Sequence, residues 1–216
     1  MAARPKYSTR EKALENRDRM LEAAEQVFAD RGFEGANMRE IAATAGVNKF
    51  MLYYHFEDKQ TLFEQVLNAI LTPVFRKLSA AIEPAPDLET AISNVYQIYA
   101  DLFAARGGRL RSFMAREIAA GAPRAKLLFK IKAPELAALW GVKLSEYAGQ
   151  EIPPKQIAQL VMSIMTNIVS TFLMSPLFEP IFNQFEIDMA DPEFKQHVVQ
   201  YALGGVDKCL ADLRTK

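Results

Sequence analysis

Apolar residues recur every three or four positions along almost the whole chain, which is the period of an amphipathic helix. Glycine, proline and helix-capping residues divide this pattern into segments. We expect helices over about residues 9–31, 38–45, 49–56, 57–83, 88–107, 110–120, 124–147, 154–175 and 192–213, with an interruption or kink at Pro134 and a loop over 177–192. Because no segment of any length has the period of a strand, the sequence predicts an all-α protein.

The second and third segments have strong local signals at their ends. Residues 37–40 read Asn-Met-Arg-Glu, the form of a capping box in which Asn37 caps a helix and Glu40 reaches back. Gly46 suits the left-handed turn that ends this helix, and Asn48 can cap the next one. Two short helices joined by a glycine turn, behind a longer first helix, form a helix-turn-helix candidate.

The two short helices also divide into a buried and an open side. Ile41, Ala45, Val47 and Leu52 are apolar where the two helices must pack together, and Ala42 is small at their crossing. The other side of the second short helix has a row of hydrogen-bond donors, with no acidic residue between Asn48 and Phe56: Lys49, Tyr53, Tyr54 and His55. Such a face could enter a DNA major groove and reach phosphates on both sides.

These residues resemble the TetR/AcrR family of transcriptional regulators. The similarity covers roughly residues 15–70 and runs through five short runs: Phe28-Ala-Asp-Arg-Gly-Phe33, Met38-Arg-Glu-Ile-Ala42, Ala45-Gly-Val47, Leu52-Tyr-Tyr-His-Phe56 and Asp58-Lys59, followed by Leu62-Phe63. The resemblance implies a DNA-binding domain over residues 1–60 and a larger helical domain for effector binding and dimerisation over 61–216.

The resemblance also implies roles for single residues. Lys49, Tyr53, Tyr54 and His55 would lie on the recognition helix and touch DNA, and Leu52 and Phe56 match buried positions of the family. Arg39 would lie near bases or backbone, and Lys59 would hold a phosphate. With the two caps and two further residues of the helix, the candidate DNA-binding set is Asn37, Arg39, Asn48, Lys49, Phe50, Met51, Tyr53, Tyr54, His55 and Lys59.

Two residues depart from the family pattern on the side that faces DNA. Phe50 stands where the family has a small residue, and Met51 stands where it has a small or hydroxyl residue. Phe50 could contact thymine methyl groups, as apolar side chains do in direct readout. It could equally obstruct docking on DNA. We therefore do not transfer an operator sequence from the family.

Charge first argues against nucleic acid, because 26 basic and 26 acidic residues leave no formal net charge. The distribution changes this conclusion. Residues 1–19 hold six basic and three acidic residues, which form either a solvated tail or an arm that follows DNA. The chain as a whole predicts modest non-specific DNA binding, so specificity must rest on the residues around Asn48–His55.

Residues 156–178, which include most of the long predicted helix, contain no charge and are numerous enough to cross a membrane. Its polar and apolar residues lie on opposite sides, so we interpret it as an amphipathic helix of a soluble protein. A polar face without Lys or Glu suggests burial against a partner helix or a ligand. Together with Gly204 and Gly205 in the last helix, it predicts a homodimer formed by the last two long helices.

Aromatic, Met and Asn side chains of the second domain either form plain core or line an effector pocket. The candidate ligand-binding set is Tyr96, Tyr99, Phe103, Phe113, Met114, Trp140, Met162, Met165 and Asn167. Such a lining favours an apolar or planar compound. We expect no metal site and no cofactor, because the chain has a single cysteine, Cys209, and only two histidines.

The sequence thus predicts a cytoplasmic, dimeric, ligand-responsive transcriptional regulator, a repressor released from a palindromic operator by a small molecule. The basic polar N-terminus, without an apolar region behind it, does not have the form of a signal peptide. An enzyme is disfavoured because no nucleophile–histidine–acid set or phosphate loop is found. The alternative is a helical interaction protein that retains the fold without specific DNA binding.

Overall fold

The computed structural model describes the backbone of residues 9–214 and the side chains of residues 14–211. Within this part of the chain every regular element is helical, which confirms the all-α class. The helices are α1 (Thr9–Gly35), α2 (Met38–Ala45), α3 (Lys49–Phe56), α4 (Lys59–Ile82), α5 (Leu88–Ala119), α6 (Ala125–Ala148), α7 (Pro154–Leu173), α8 (Ser175–Gln184) and α9 (Pro192–Arg214).

Two glycines interrupt the longer helices at the positions where the sequence predicts an end. Gly32 has φ 71° and ψ 176°, a conformation that is essentially restricted to glycine, and α1 bends there before its last residues. Gly107 is likewise non-helical, with φ 49°, so α5 comprises two helical stretches joined at a kink. The two segments predicted on either side of Gly107 are therefore present as one kinked element.

The loop predicted over residues 177–192 is wrong in its first half, because Ser175–Gln184 form α8. Pro176 lies in the first turn of that helix, where a missing backbone N–H has no intrahelical partner to lose. Pro180 follows one turn later inside α8. Proline was therefore a misleading signal for a loop here. Helix α6 likewise continues through Pro134, where the sequence predicts an interruption or kink.

The chain forms two compact units whose boundaries fall within α4, α5 and α6. The first unit contains the chain up to Leu71 together with Gly108–Leu128, and the second contains Thr72–Gly107 and the chain from Phe129 onward. The first unit thus extends beyond residue 60, the predicted end of the DNA-binding domain. That boundary concerns function and stays a prediction.

Aromatic rings form the centre of the first unit. Phe28 and Phe63 lie edge to face with ring centroids 4.8 Å apart, and Phe33 meets Phe63 in the same way at 5.4 Å. Phe113 stacks on Phe63 with a centroid distance of 4.9 Å. These contacts join α1, α4 and the second part of α5, while α2 packs against α1 and against α3.

The second unit has its own aromatic core. The Phe172 ring of α7 lies 5.0 Å from the ring of Tyr96 and 5.7 Å from that of Phe103, both on α5. Trp140 of α6 is fully buried, and α7 packs against both α8 and α9.

Helix α7 is long and apolar enough to cross a membrane by length and composition alone. One stripe along it is buried at the spacing of an amphipathic helix, namely Leu160, Ile164, Ile168 and Phe172. Its opposite side is exposed and uncharged between Ala158 and Thr166. This arrangement agrees with the interpretation of α7 as a helix with one side in the core of its unit.

Candidate nucleic-acid interface

Local hydrogen bonds fix both ends of α2. The Asn37 side-chain oxygen accepts a hydrogen bond from the backbone N–H of Glu40 at 2.9 Å, and Glu40 lies 3.5 Å from the Asn37 side-chain nitrogen. At the other end of α2, Gly46 has φ 66°, and the Val47 N–H donates to the carbonyl of Ala42 at 3.0 Å. This pairing is the Schellman arrangement that ends a helix at a left-handed residue.

Helix α3 begins with a second asparagine cap. The Asn48 side-chain oxygen accepts a hydrogen bond from the backbone N–H of Met51 at 2.7 Å. The side-chain oxygens of Asn37 and Asn48 are therefore both used to start their own helices. This use indicates a positioning role for both residues, rather than base reading through those oxygens.

The side chains of α3 divide sharply between the core and the surface. Leu52 and Phe56 are fully buried, whereas Phe50 is 86% and Tyr54 83% exposed. Tyr53 is 39% exposed, so it is more buried than its neighbour Tyr54. Phe50 and Tyr54 are four residues apart and share one face of the helix, which makes them the outermost ridge of α3.

The remaining donors lie beside this ridge. The Lys49 ammonium is 5.3 Å from the centre of the Tyr53 ring, a cation–π distance that leaves its donors available. The rings of Tyr54 and His55 meet edge to face at 5.4 Å, and His55 is partly buried. Arg39 of α2 is exposed. The structure therefore brings an amine, a guanidinium, two phenols and an imidazole to one helix-turn-helix.

Lys59 is partly buried and bonds to the backbone of the first unit. Its ammonium donates to the backbone carbonyls of Phe33 at 2.8 Å and Ala36 at 3.1 Å, and it lies 4.4 Å from the centre of the Phe33 ring. Phe33 lies at the end of α1 and Ala36 just beyond it, where a cation is favoured by the helix dipole. These contacts hold α1 against α4 through two of the three N–H donors of Lys59, and its phosphate contact stays a prediction.

Part of the basic N-terminal stretch is also used inside the first unit. The Arg17 guanidinium donates to the side-chain oxygen of Gln65 and lies 5.5 Å from the centre of the Phe56 ring. Arg19 bonds Asn16 within α1 at 2.9 Å. The other four bases of the stretch, and the question of a tail or a DNA-following arm, lie outside the side chains that the structure describes.

One buried charged residue of the first unit was missed by the sequence reasoning. The Glu117 carboxylate accepts hydrogen bonds from the backbone N–H groups of Arg124 at 2.8 Å and Ala125 at 3.0 Å, which caps the start of α6. The Arg124 guanidinium lies 3.4 Å from Glu117 and 3.5 Å from the centre of the Phe33 ring. A cap seven residues away matches no sequence pattern for helix starts.

Several predicted ligand-binding residues lie in the interior of the second unit. Burial raises the pKa of Tyr96 and of Tyr99 to about 12, so both phenols stay neutral across the physiological range. The Tyr96 hydroxyl donates to the carbonyl of Met189 at 2.7 Å. Phe103 is buried on the same helix and Met165 is partly buried on α7.

Among the residues that the structure describes, three buried polar atoms of this interior have no hydrogen-bond partner: Trp140 Nε1, Asn167 Oδ1 and Gln156 Oε1. An unpaired buried polar group costs about 1–3 kcal/mol, so each is a place where a bound molecule or water would be stabilised. Trp140 and Asn167 belong to the predicted set. Gln156 was missed, because its place in the uncharged helix gave no sign that its side chain is turned inward.

The structure does not support three members of the predicted pocket. Phe113 belongs to the first unit, where its ring stacks on Phe63 in the core. Met114 lies in the same unit and is partly buried. Met162 is 65% exposed on the outer side of α7, facing away from the interior stripe. Helical spacing of aromatic and Met residues did not separate core, pocket and surface positions.

Comparisons with known proteins bear on the helix-turn-helix. Residues 20–66 match the sequence model of the family described as bacterial regulatory proteins, tetR family. The N-terminal region of the chain is thus similar to that of the TetR family. This match includes α2, α3 and the buried residues of α1, and it confirms the helix-turn-helix architecture.

Relatives in this family share the N-terminal region. The transcriptional repressor BepR of Brucella suis is 42% identical over 65 residues, 30% of this chain and 31% of BepR. The transcriptional activator FasR of Mycolicibacterium smegmatis is 51% identical over 53 residues, 24% of each chain. The matches thus cover about a third or less of these relatives. Both are named as transcriptional regulators.

The whole TetR-like fold extends further than the sequence similarity. The crystal structure of the regulator FadR from Bacillus subtilis, in complex with stearoyl-CoA, superposes with a TM-score of 0.68. The superposition covers 87% of this chain and 98% of FadR at 15% sequence identity. At that identity the likeness concerns the fold: an N-terminal helix-turn-helix followed by a larger helical part.

Lys49 and Lys59 differ in their contacts, and substitution of each one tests this difference. Lys59→Met should lower the free energy of unfolding by about 1–3 kcal/mol, because two backbone carbonyls lose a charged donor. Lys49→Met, a change of the same size on an exposed side chain, should change it by less than about 0.5 kcal/mol.

Urea unfolding of both variants measures these values, with the wild-type protein as reference. Equal and small losses for the two variants would contradict the structural role of Lys59.

Proposed function

We propose that the chain is a homodimeric, cytoplasmic transcriptional repressor that binds a palindromic operator and is released from it by a small molecule. The observation that carries this proposal is the outer face of α3. It presents exposed donors and no acidic residue, and its position is fixed by the buried Leu52 and Phe56. The match of residues 20–66 to the tetR family model supports transcriptional regulation as the general role.

DNA contact by this face follows from its chemistry. Lys49 and Tyr54 offer donors on the exposed side of α3, where they can reach base edges and phosphates. Arg39 of α2, and Tyr53 and His55 beside the ridge, complete the proposed contacts. Asn37 and Asn48 support the site by fixing the two helix starts.

We place the dimer interface on α7 and α9. The exposed side of α7 has no charge between Ala158 and Thr166 and includes Met162, which is 65% exposed. On α9, Tyr201 is 68% exposed, and no atom lies within 4 Å of where a Cβ on Gly204 or Gly205 would stand. Small residues and uncharged side chains allow two helices to approach closely without leaving a charge buried.

A two-fold dimer determines the form of the operator. Two reading helices related by two-fold symmetry recognise a palindrome whose half-sites lie about 34–36 Å apart or a multiple of that distance. A monomer would retain only one α3 and would bind a half-site with far lower affinity. Dimerisation and specific DNA binding should therefore be lost together.

The interior of the second unit is the proposed effector site. Its rings supply an apolar lining, and Trp140 Nε1, Asn167 Oδ1 and Gln156 Oε1 are unpaired. The described buried residues of this unit include no Lys, Arg, Asp or Glu. These features favour an effector with a substantial uncharged apolar part. The stearoyl-CoA complex of FadR, a protein of the same fold, supports a long acyl chain as one such group.

The effector acts by binding one conformation of the dimer better than the other. A ligand with equal affinity for the DNA-competent and DNA-incompetent states shifts nothing, however tightly it binds. Repression is the simplest outcome for a protein that leaves its operator when loaded. However, FasR, which is 51% identical in the aligned region, is an activator. Expression of the regulated gene is therefore the measurement that distinguishes repression from activation.

DNA binding is tested by a salt series on a duplex that carries the region upstream of the chain's own gene. Wild-type protein should retain this duplex, and log Kd should rise with log salt by about 0.9 per phosphate neutralised. Lys49→Ala and Tyr54→Ala should each weaken binding about tenfold. Lys155→Ala, an equal loss of charge on the second unit, serves as the control and should leave affinity unchanged.

If the wild-type protein retains no duplex even at low salt, the chain does not act as a DNA-binding regulator. The helical interaction protein would then be the better description.

Dimerisation is tested by light scattering at micromolar concentration, where the wild-type protein should have twice the mass of one chain. Met162→Glu should raise the dimer dissociation constant at least about 100-fold, because it places an unpaired charge in the interface. Val142→Glu makes the same change at a residue of α6 that is 54% exposed, and it should stay dimeric. A wild-type monomer, or equal behaviour of the two variants, would refute this interface.

Effector binding can be followed through Trp140, the only tryptophan in the chain. Stearoyl-CoA should change its fluorescence saturably and release the protein from DNA, whereas coenzyme A without the acyl chain should do neither. Asn167→Leu removes an unpaired buried acceptor and should alter the affinity for stearoyl-CoA while leaving DNA binding intact. No fluorescence response to stearoyl-CoA or to stearate would contradict a long acyl chain as the effector group.

A further inference from the structure

The most exposed apolar side chain of the described residues stands on the face of α3 that we propose to meet DNA. Phe50 is 86% exposed, more than any other large apolar side chain that the structure describes. It is the second residue of α3, and Asn48 caps the helix immediately before it. An exposed phenylalanine contributes nothing to the core of a domain and exposes a large apolar area to water.

The position of Phe50 on the helix restricts what it can contact. In a helix-turn-helix, the N-terminal residues of the second helix meet base edges, whereas later residues and the first helix meet the backbone. Phe50 lies in that first turn, and Tyr54 lies one turn later on the same ridge. The phenyl ring is therefore directed at base edges in any docking that places the ridge in the major groove.

The chemistry of the ring restricts its target further. Phenylalanine has no donor or acceptor, so it cannot read the hydrogen-bonding groups of guanine, cytosine or adenine. In the major groove the apolar group offered by an unmodified base is the C5 methyl of thymine. Neighbouring side chains do not compete for this role: the Lys49 ammonium lies over Tyr53, and Met51 is only 40% exposed.

We propose that Phe50 is a specificity-determining residue that reads thymine, with its ring packed against thymine C5 methyl groups in each half-site. This inference rests on the proposed function, because it requires α3 to enter the major groove. It gives the operator a defined feature, namely at least one thymine opposite the start of α3 in each half-site, whose methyl group contributes to affinity.

The experiment begins with duplexes selected from a random library by the wild-type protein. In the selected duplex each thymine is replaced in turn by deoxyuridine, which keeps all hydrogen bonds and lacks only the methyl group. Removal of the methyl that Phe50 contacts should weaken wild-type binding about three- to fivefold per half-site. Replacement of the same thymine by 5-bromodeoxyuridine, which fills the methyl position, should restore affinity.

Protein variants assign the effect to Phe50. Phe50→Ala should bind the thymine and deoxyuridine duplexes with less than a twofold difference, whereas Phe50→Leu should keep part of the discrimination. Ile118→Ala is the matched control, since it truncates an apolar residue of the first unit that is 52% exposed and lies outside the helix-turn-helix. It should discriminate as the wild type does. Met51→Ala tests whether the adjacent residue carries the effect instead.

The outcomes separate this inference from the proposed function. If the wild type selects a sequence but no deoxyuridine replacement weakens binding, or if Phe50→Ala stays as sensitive as the wild type, thymine reading by Phe50 is overturned and DNA binding stands. If the wild type selects no sequence even at low salt, the proposed function fails and this inference fails with it. The duplexes are synthetic and contain no methylated cytosine, so thymine is the source of any methyl effect.

Discussion

The proposed DNA-reading surface, the exposed face of α3, depends on two buried side chains. Helix α3 has only eight residues, and a helix of that length is not stable in water without tertiary contacts. Leu52 and Phe56, one turn apart and fully buried, provide those contacts. Every donor on the outer face of α3 therefore has a fixed direction only as long as these two residues remain packed in the first unit.

The same requirement explains why so many polar groups near α3 are used for positioning. Asn37 and Asn48 start the two short helices, and Lys59 holds the end of α1. Lys49 and Lys59 have the same charge and lie ten residues apart, yet one is exposed and the other is occupied by carbonyls. The side-chain donors proposed to contact DNA are those that the fold does not use for positioning.

Local signals predicted this region well, and long-range contacts could not be predicted. The bounds of α2 and α3 follow from Asn37, Gly46 and Asn48, because caps act on neighbouring residues. The carbonyl partners of Lys59 lie 23 and 26 residues away, and no pattern along the chain indicates them. For the same reason, helical spacing could not show that Phe113 belongs to the first core and that Met162 is exposed. The prolines near α8 suggested a loop, because proline fits a helix in its first turn and the sequence does not show that a helix starts at Ser175.

Regulation in the proposed dimer would depend on the two sides of α7. The inner stripe, which includes Ile164 and Ile168, packs in the second unit, and Asn167 adds an unpaired acceptor there. The outer side, with Met162, faces the proposed partner. Because one helix carries both sides, a ligand that prefers one packing of the inner stripe must also favour one placement of the outer side. The absence of charge on that outer side then has a physical reason, since a small shift of an uncharged interface leaves no ion unpaired.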